Sequence, residues 1–469
     1  MSGVTPSGTV KEYLTVEPCS LQAENSVVKE SFTTYNHAEI QGMKPYPKYK
    51  DSGVEWLGRI PDHWKCKKIK HITQLQGGFA FKSKSFTETG IPIVRIGDIQ
   101  SIIDWECCKK VPQYIKVTKD FLIKKHDTLI ALSGATTGKT TFIDSEPEYS
   151  YINQRVAKAS FDNKMIYFLL SCSNVQELIK LIAAGSAQEN ISNAQIGNIT
   201  VCIPSDKQEQ TAIAAFLDRK TADIDKLIAN KERLIKLYEE KKQAVINQAV
   251  TKGLDPDAEM KDSGVEWLGE IPKHWEVMRL RHLFEIKKRI AGELGYDVLS
   301  ITQRGIKIKD IKSMDGQISS DYSKYQLVMK GDFAMNHMDL LTGYVDLSKY
   351  NGVTSPDYRV FSLSDTNNCD RYFLYLFQLG YKRKIFYAFG RGAAQFGRWR
   401  FPAEEFKAFG FPIPPVSEQT AIAHHIETQC NRIDAIINKL KKQINLFKEY
   451  RTALISEAVT GKIDVRNNG

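Results

Sequence analysis

Lys50-Asp51-Ser52-Gly53-Val54-Glu55-Trp56-Leu57-Gly58 returns as Lys261-Asp262-Ser263-Gly264-Val265-Glu266-Trp267-Leu268-Gly269. Each copy runs on through Ile-Pro-x-His-Trp, ending at His63-Trp64 and at His274-Trp275. A second shared block, Glu209-Gln210-Thr211-Ala212-Ile213-Ala214, matches Glu418-Gln419-Thr420-Ala421-Ile422-Ala423. That match continues without a gap to Ala249-Val250-Thr251 and Ala458-Val459-Thr460. A fainter echo, Gly185-x-Ala187-Gln188 against Gly392-x-Ala394-Gln395, precedes each of these blocks. Self-similarity of this kind marks a duplicated structural unit. The stretches between the blocks, roughly 70–205 and 280–415, differ greatly. Drift alone would not spare the ends so selectively. The shared ends therefore read as a scaffold and the divergent middles as two different readers.

From about Lys207 to Val250 there is neither Gly nor Pro. Apolar residues fall at Ile224, Leu227, Ile228, Leu234, Ile235, Tyr238, Val245 and Ile246, and in the second copy at Ile433, Ile436, Ile437, Leu440, Ile444, Phe447, Leu454 and Ile455. Spacings of three and four predict a helix with one apolar seam, ended by Gly253 and Gly461. At ~1.5 Å per residue such helices are about 60 Å long. A seam of that length needs a partner. Either the two helices pair antiparallel as a coiled coil, or each packs on its own domain.

A length of 469 residues implies more than one domain, and 42% hydrophobic with 26% charged residues fits a soluble globular chain. No apolar run approaches the ~20 residues of a membrane span. Met1 to Val10 lack the basic-then-apolar pattern of a secretory signal, so a cytoplasmic location is expected. Cys19, Cys66, Cys107, Cys108, Cys172, Cys202, Cys369 and Cys430 are scattered without a C-x-x-C pair. Free buried thiols are expected rather than structural zinc. The net charge of +10 favours polyanionic partners.

Ile91 to Ile99 and Asp127 to Leu132 read as strands, and Gln76-Gly77-Gly78-Phe79-Ala80-Phe81-Lys82-Ser83-Lys84 as a flexible loop with aromatics and cations interleaved. Tyr381-Lys382-Arg383-Lys384 with Arg391, Arg398 and Arg400, near Phe396 and Trp399, form a dense basic stretch. Segments like these suit phosphate contact and base-edge readout. The candidate DNA contacts are Lys82, Lys84, Arg95, Gln188, Lys287, Arg289, Arg391, Gln395, Arg398 and Arg400.

Several motif look-alikes carry no chemistry. Gly134-Ala135-Thr136-Thr137-Gly138-Lys139-Thr140 is one residue short of a phosphate-cradling loop, and Thr140 to Ile143 reads as a strand rather than a helix start. Gly390-Arg391-Gly392 lacks the third glycine of a dinucleotide fingerprint. Pro256-Asp257 with Glu259-x-Lys261 places its carboxylates too close together, in a linker, for a metal-dependent nuclease. His424-His425, which replace Ala215-Phe216, suit a helix surface or packing edge. Ile413-Pro414-Pro415-Val416 does not serve as an amino-methylation motif. No catalytic residue and no metal ligand is expected.

The order of reader, long helix, reader, long helix resembles the specificity subunit of type I restriction–modification enzymes. The residues that carry the resemblance are the doubled entrance motif, Ile203-Pro204 leading to Glu209-Gln210, and Ile413-Pro414-Pro415 leading to Glu418-Gln419. Gly331-Asp332-Phe333 and Ser355-Pro356-Asp357-Tyr358 also fit its pattern. It covers residues 43 to about 465. The resemblance implies a non-catalytic subunit of α+β class. In it two α/β target-recognition domains are separated by two long antiparallel helices forming a coiled-coil spacer, as a pseudo-twofold tandem repeat. Each domain would read half of a split double-stranded DNA target. The shared regions would dock two modification subunits that methylate adenine at N6, and through them restriction subunits. S-adenosylmethionine, ATP and Mg would be bound by those partners and no cofactor by this chain. The candidate docking residues are Trp56, His63, Trp64, Trp267, His274, Trp275, Glu209, Gln210, Glu418 and Gln419.

The expected organisation is a first target-recognition domain over 43–205, a spacer helix over 206–252 and a linker with the docking repeat over 253–279. A second target-recognition domain over 280–415, a second helix over 416–460 and a tail over 461–469 follow. Two rival readings are a self-sufficient DNA enzyme, which lacks its motifs here, and a tandem-domain regulator acting without partners. Residues 1–42 have no match in the second copy and are expected to be a disordered or weakly packed extension from an upstream start. Deleting them should leave target addressing intact. A changed methylation target in a host carrying the truncated chain would refute that expectation.

Overall fold

The computed structural model describes residues 43–100, 102–115, 117–145, 149–185, 189–311, 319, 321–392 and 399–466. The expectations for residues 1–42, Gln188, Gln395, Phe396 and Arg398 lie outside them. The chain forms two compact units: residues up to Ala229 with those from Gln443 onward, and Asn230–Lys442.

In the first unit the entrance motif folds as a hairpin of β1 (Tyr49–Asp51) and β2 (Arg59–Pro61). Next come β3 (Trp64–Lys68), β4 (Leu75–Gly77), β5 (Ile91–Val94) and β6 (Lys109–Val111). After these lie β7 (Asp127–Ala131), β8 (Thr140–Phe142), β9 (Tyr151–Ile152) and β10 (Val156–Ser160). An antiparallel sheet takes the order β4-β10-β7-β8, and β6-β5-β9 form a smaller one. Helices α1 (Met165–Ser171), α2 (Ser173–Ala184) and α3 (Asn193–Gly197) lead to β11 (Thr200–Pro204), which pairs antiparallel with β3. Helix α4 (Lys207–Lys252) follows, and the first unit holds it as far as Ala229.

The second unit repeats the plan with different residues. Its hairpin is β12 (Met260–Asp262) and β13 (Glu270–Pro272), followed by β14 (Glu276–Arg279), the short helix α5 (Leu280–Leu283) and β15 (Phe284–Lys287). Then come β16 (Leu299–Thr302), β17 (Gly305–Ile308), β18 (Gln326–Val328), β19 (Phe333–Met335), β20 (Val345–Leu347), β21 (Gly352–Thr354) and β22 (Arg359–Leu363). Its main sheet takes the order β15-β22-β19-β20. Helices α6 (Asp370–Lys382), α7 (Ile385–Ala388) and α8 (Ala403–Ala408) precede β23 (Gly410–Ile413), which pairs with β14. Helix α9 (Val416–Val459) closes the series, and this unit holds it as far as Lys442.

The two main sheets thus share one strand order although their sequences diverge. A common device starts β7 and β19. His126 and Gly331 take positive φ angles of 71° and 93°. The next residue, Asp127 or Asp332, accepts the N–H of Lys124 at 2.8 Å or Met329 at 2.7 Å. Each buried carboxylate also finds a cation: Lys158 at 3.6 Å from Asp127, and Arg289 against Asp332. A buried charge without a partner would be costly. In the second unit Phe284, Phe333, Phe361 and Phe377 pack as one aromatic core, with Phe333 stacked on Phe361 at 5.2 Å.

Each unit contains the start of one long helix and the end of the other, running antiparallel. In the first, Arg451 of α9 pairs with Asp225 of α4 at 3.1 Å. In the second, Lys242 of α4 pairs with Asp434 of α9 at 2.7 Å. Ile224, Ile228, Ile246, Ile433, Ile437, Ile444, Leu454 and Ile455 of the predicted seam are buried. Leu234 and Ile436 are exposed, so the seam is narrower than the sequence pattern.

Two expectations are corrected. Cys66 and Cys202 are not free thiols. The β3–β11 register sets them directly opposite, with Cα atoms 4.0 Å apart, and they form a disulfide. Val277 and Pro412 hold the corresponding pair of positions between β14 and β23. Gln76 to Lys84 is not a loose loop. Gln76 and Gly77 belong to β4, and Phe79 and Phe81 pack edge to face at 4.9 Å. The strand read from Thr140 is β8.

The joint between entrance motif and helix is the same in both units. Trp64 is fully buried and its Nε1 donates to Glu209 Oε1 at 3.1 Å, while His63 Nε2 lies 2.8 Å from Glu209 Oε2. Trp275 is equally buried and donates to Glu418 Oε2 at 3.1 Å, with His274 Nε2 at 2.8 Å. Both glutamates sit in the first turn of their helices, where the macrodipole favours an anion. Gln210 Nε2 donates to Pro204 O at 2.8 Å and Gln419 Nε2 to Pro414 O at 3.0 Å, tying each helix to the preceding strand.

The same tryptophans receive the opposite helix ends. Gly253, at φ +76°, would bring a Cβ within 3.2 Å of Trp275 and of Glu418. Gly461, at φ +71°, would bring one within 2.5 Å of Pro61 and 3.2 Å of Trp64. Glu418→Ala strands the indole N–H and should lower unfolding free energy by about 1–3 kcal/mol in urea melts. Trp275→Ala should cost about 3–5 kcal/mol. Equal stability of both variants with the parent would show that the joint carries no weight.

Candidate DNA-facing surfaces and docking strip

Lys82 precedes a single helical turn, Ser83–Ser85, and Lys84 lies within it; both are exposed, with no ion pair among the described residues. Arg95 is half-buried and pairs with Asp98 at 3.3 Å, so its charge is partly answered within the unit. Arg289 is half-buried against Asp332, and Lys287 lies against Glu285. The backbones of Arg391 and Arg400 bond to each other in both directions, at 2.8 and 3.0 Å, which sets both side chains at one exposed corner. Arg391 pairs there with Glu405 at 2.5 Å. Arg383 is drawn away from the basic stretch, donating to Asn247 of α4 at 2.8 Å. Trp399 stacks on Tyr387 at 5.4 Å and donates to its carbonyl at 2.7 Å, so it is a packing residue.

Lys287 and Arg400 meet across a cleft of about 880 Å³ in the second unit. Arg281, Lys288, Arg359 and Lys407 also line it, against the carboxylates of Glu285 and Asp357. The sequence reading missed these four cations. Arg359 could have been found, because it opens β22 directly ahead of the apolar pair Val360-Phe361. It is 5% exposed. Its Nη2 donates to Phe401 O at 3.0 Å and its guanidinium carbon sits 4.6 Å from the centre of the Phe406 ring. Its Nη1 is buried without an acceptor. Burial lowers its pKa to about 10. His337, also lining the cleft, is pushed down to about 3 by burial and then by the charges of Arg359 and Arg400, so it is neutral at pH 7. Its Nδ1 too is buried without a partner.

The expected docking residues separate into two groups. Trp64, Trp275, Glu209, Gln210 and Gln419 are buried in the joints described above, where they hold the strip in shape. His63 and His274 are exposed, while Trp56, Trp267 and Glu418 are half-buried. Trp267 stacks on Phe409 at 5.6 Å. Among the described residues no group of three His, Cys, Asp or Glu side chains could hold a metal ion. Nor, among those residues, is any single helix long and apolar enough to cross a membrane.

Residues 61–237 and 272–446 each match the type I restriction modification DNA specificity domain. The StySPI specificity subunit of Salmonella potsdam is 23% identical over 87% of this chain and 90% of its own length. The EcoDI specificity subunit of Escherichia coli is 21% identical over the same shares. A chain of the solved structure described as the structural basis of complex assembly and conformational transition of the type I R-M system superposes with a TM-score of 0.62. It is 12% identical, over 85% of this chain and 98% of that one, and carries the same fold. With both copies matched in order, the chain belongs to the type I restriction modification DNA specificity family.

Proposed function

We propose that this chain is the address-reading subunit of a type I restriction–modification complex, with each reader recognising one half of a bipartite, asymmetric DNA target. The observation that carries this reading is the repeated base and sheet order under two different surfaces. Equal scaffolds present the readers equivalently, and unequal surfaces read different sequences. The long helices act as the spacer that fixes the distance between half-sites. Two modest affinities joined by a stiff spacer reinforce each other only at the matching separation. The exposed parts of the entrance motif, with His63 and His274 foremost, form the docking strips for two modification subunits. Methyl transfer from S-adenosylmethionine, ATP-driven cleavage and Mg chemistry then reside on partner chains in the cytoplasm.

Methylome sequencing of a host carrying this chain and its modification partner tests the reading. A split motif with two unlike halves is expected. Exchanging residues 280–415 for the equivalent region of another specificity subunit should change one half and leave the other. A single undivided motif, or no chain-dependent methylation, would overturn it. A chain that binds its motif alone and never copurifies with a methyltransferase would favour a partner-independent regulator.

A further inference from the structure

We propose that the cleft walled by Arg359 in the second unit is an oxyanion site that takes a phosphodiester group of DNA. The proposal rests on the DNA-reading function above. Arg359 is almost fully buried, lies in no ion pair among the described residues, and leaves Nη1 without an acceptor. A buried guanidinium without a counter-charge is costly, and an unsatisfied buried donor calls for a missing partner. Glu285 and Asp357 line the same cleft, but neither pairs with Arg359, and Glu285 is engaged by Lys287.

The cleft rim adds Lys288 and Arg400, which carry no ion pair among the described residues, while Lys287 is answered by Glu285. An entering oxyanion would balance the buried charge and meet two exposed cations. Guanidinium and phosphate geometry are complementary, and charge-assisted bonds of this kind are the strong ones.

The first reader lacks the device. Asp127 and Asp332 occupy equivalent turns, so Ile130 of β7 corresponds to Met335 of β19. The cross-strand partner of Met335 is Arg359, whereas that of Ile130 is Ala157. The site is therefore a property of the second reader and a place where the two half-site contacts differ.

The test uses the full chain, its Arg359→Met variant and its Arg359→Lys variant. In one arm, inorganic phosphate is titrated against chloride at constant ionic strength and the unfolding midpoint is read. In the other, duplexes carrying the methylated motif have single phosphates of the second half-site replaced by neutral methylphosphonate. At one or two linkages the replacement should weaken the parent chain about tenfold and Arg359→Met less than about twofold, with Arg359→Lys between them. Coupling to Arg359 in the duplex arm identifies a backbone phosphate. Coupling in the ion arm alone keeps the oxyanion site but makes a free anion its occupant, overturning the DNA assignment. Absence of coupling in both arms overturns the proposal, and normal binding of the motif then leaves the DNA-reading function standing. If the chain binds no motif, that function fails and the ion arm alone decides the site. Should Arg359→Met not fold, the double variant Lys288→Ala, Arg400→Ala on the exposed rim provides the same comparison.

Discussion

A carboxylate in the first turn of each long helix is shared by an indole N–H and an imidazole from an entrance motif more than a hundred residues away. Glu209 is only 4% exposed in its side chain, so its charge must be satisfied from within. The helix N-terminus, Trp64 and His63 satisfy it together. Removing any one of these would leave a buried polar group short of partners, at a cost larger than the bond itself was worth. Trp, His and Glu therefore constrain one another, although the chain between them is free to change. The same tryptophan also takes the glycine that ends the opposite helix, and a Cβ there would collide with it or with the neighbouring proline. One joint fixes the entrance, the start of one helix and the end of the other.

With that joint in place, the region between the blocks needs only to close a sheet onto it. Both readers do so with one strand order and a buried aspartate after a left-handed residue. The cation answering the aspartate differs. Lys158 comes from the strand beside Asp127, and Arg289 comes from just beyond the edge strand β15. The requirement is charge compensation at a buried point, which different positions can meet. Sequence similarity fades under such a requirement while topology persists.

This difference marks what could be read from sequence. The joint was legible because its residues repeat at two places, and so were the helices, whose periodicity extends over many turns. Single strands of the first sheet were legible, at Asp127 and Thr140, but the shared strand order was not, because strands of three to five residues with most positions buried show no alternation that would reveal their pairing. The tryptophans were visible as a pattern but not as a role: a repeated aromatic in an exposed-looking motif resembles a contact residue, and only packing reveals that it faces inward. The disulfide was hidden for a similar reason, since its two cysteines are 136 residues apart and meet through strand register alone.

Cations show the sharpest limit of counting residue types. Arg95, Lys287, Arg289 and Arg391 were all attractive as DNA contacts, and all four are engaged with carboxylates of their own unit. An exposed pair of that kind is weak and can be exchanged for a phosphate at little cost. Arg289 is different, because leaving Asp332 would strand a buried anion. Its charge is committed to the fold, whereas those of Arg391 and Lys287 remain transferable. Arg359 stands at the opposite extreme: a charge the fold has buried and not compensated. A reader surface is thus defined less by how many cations it shows than by which of them the protein has left unanswered.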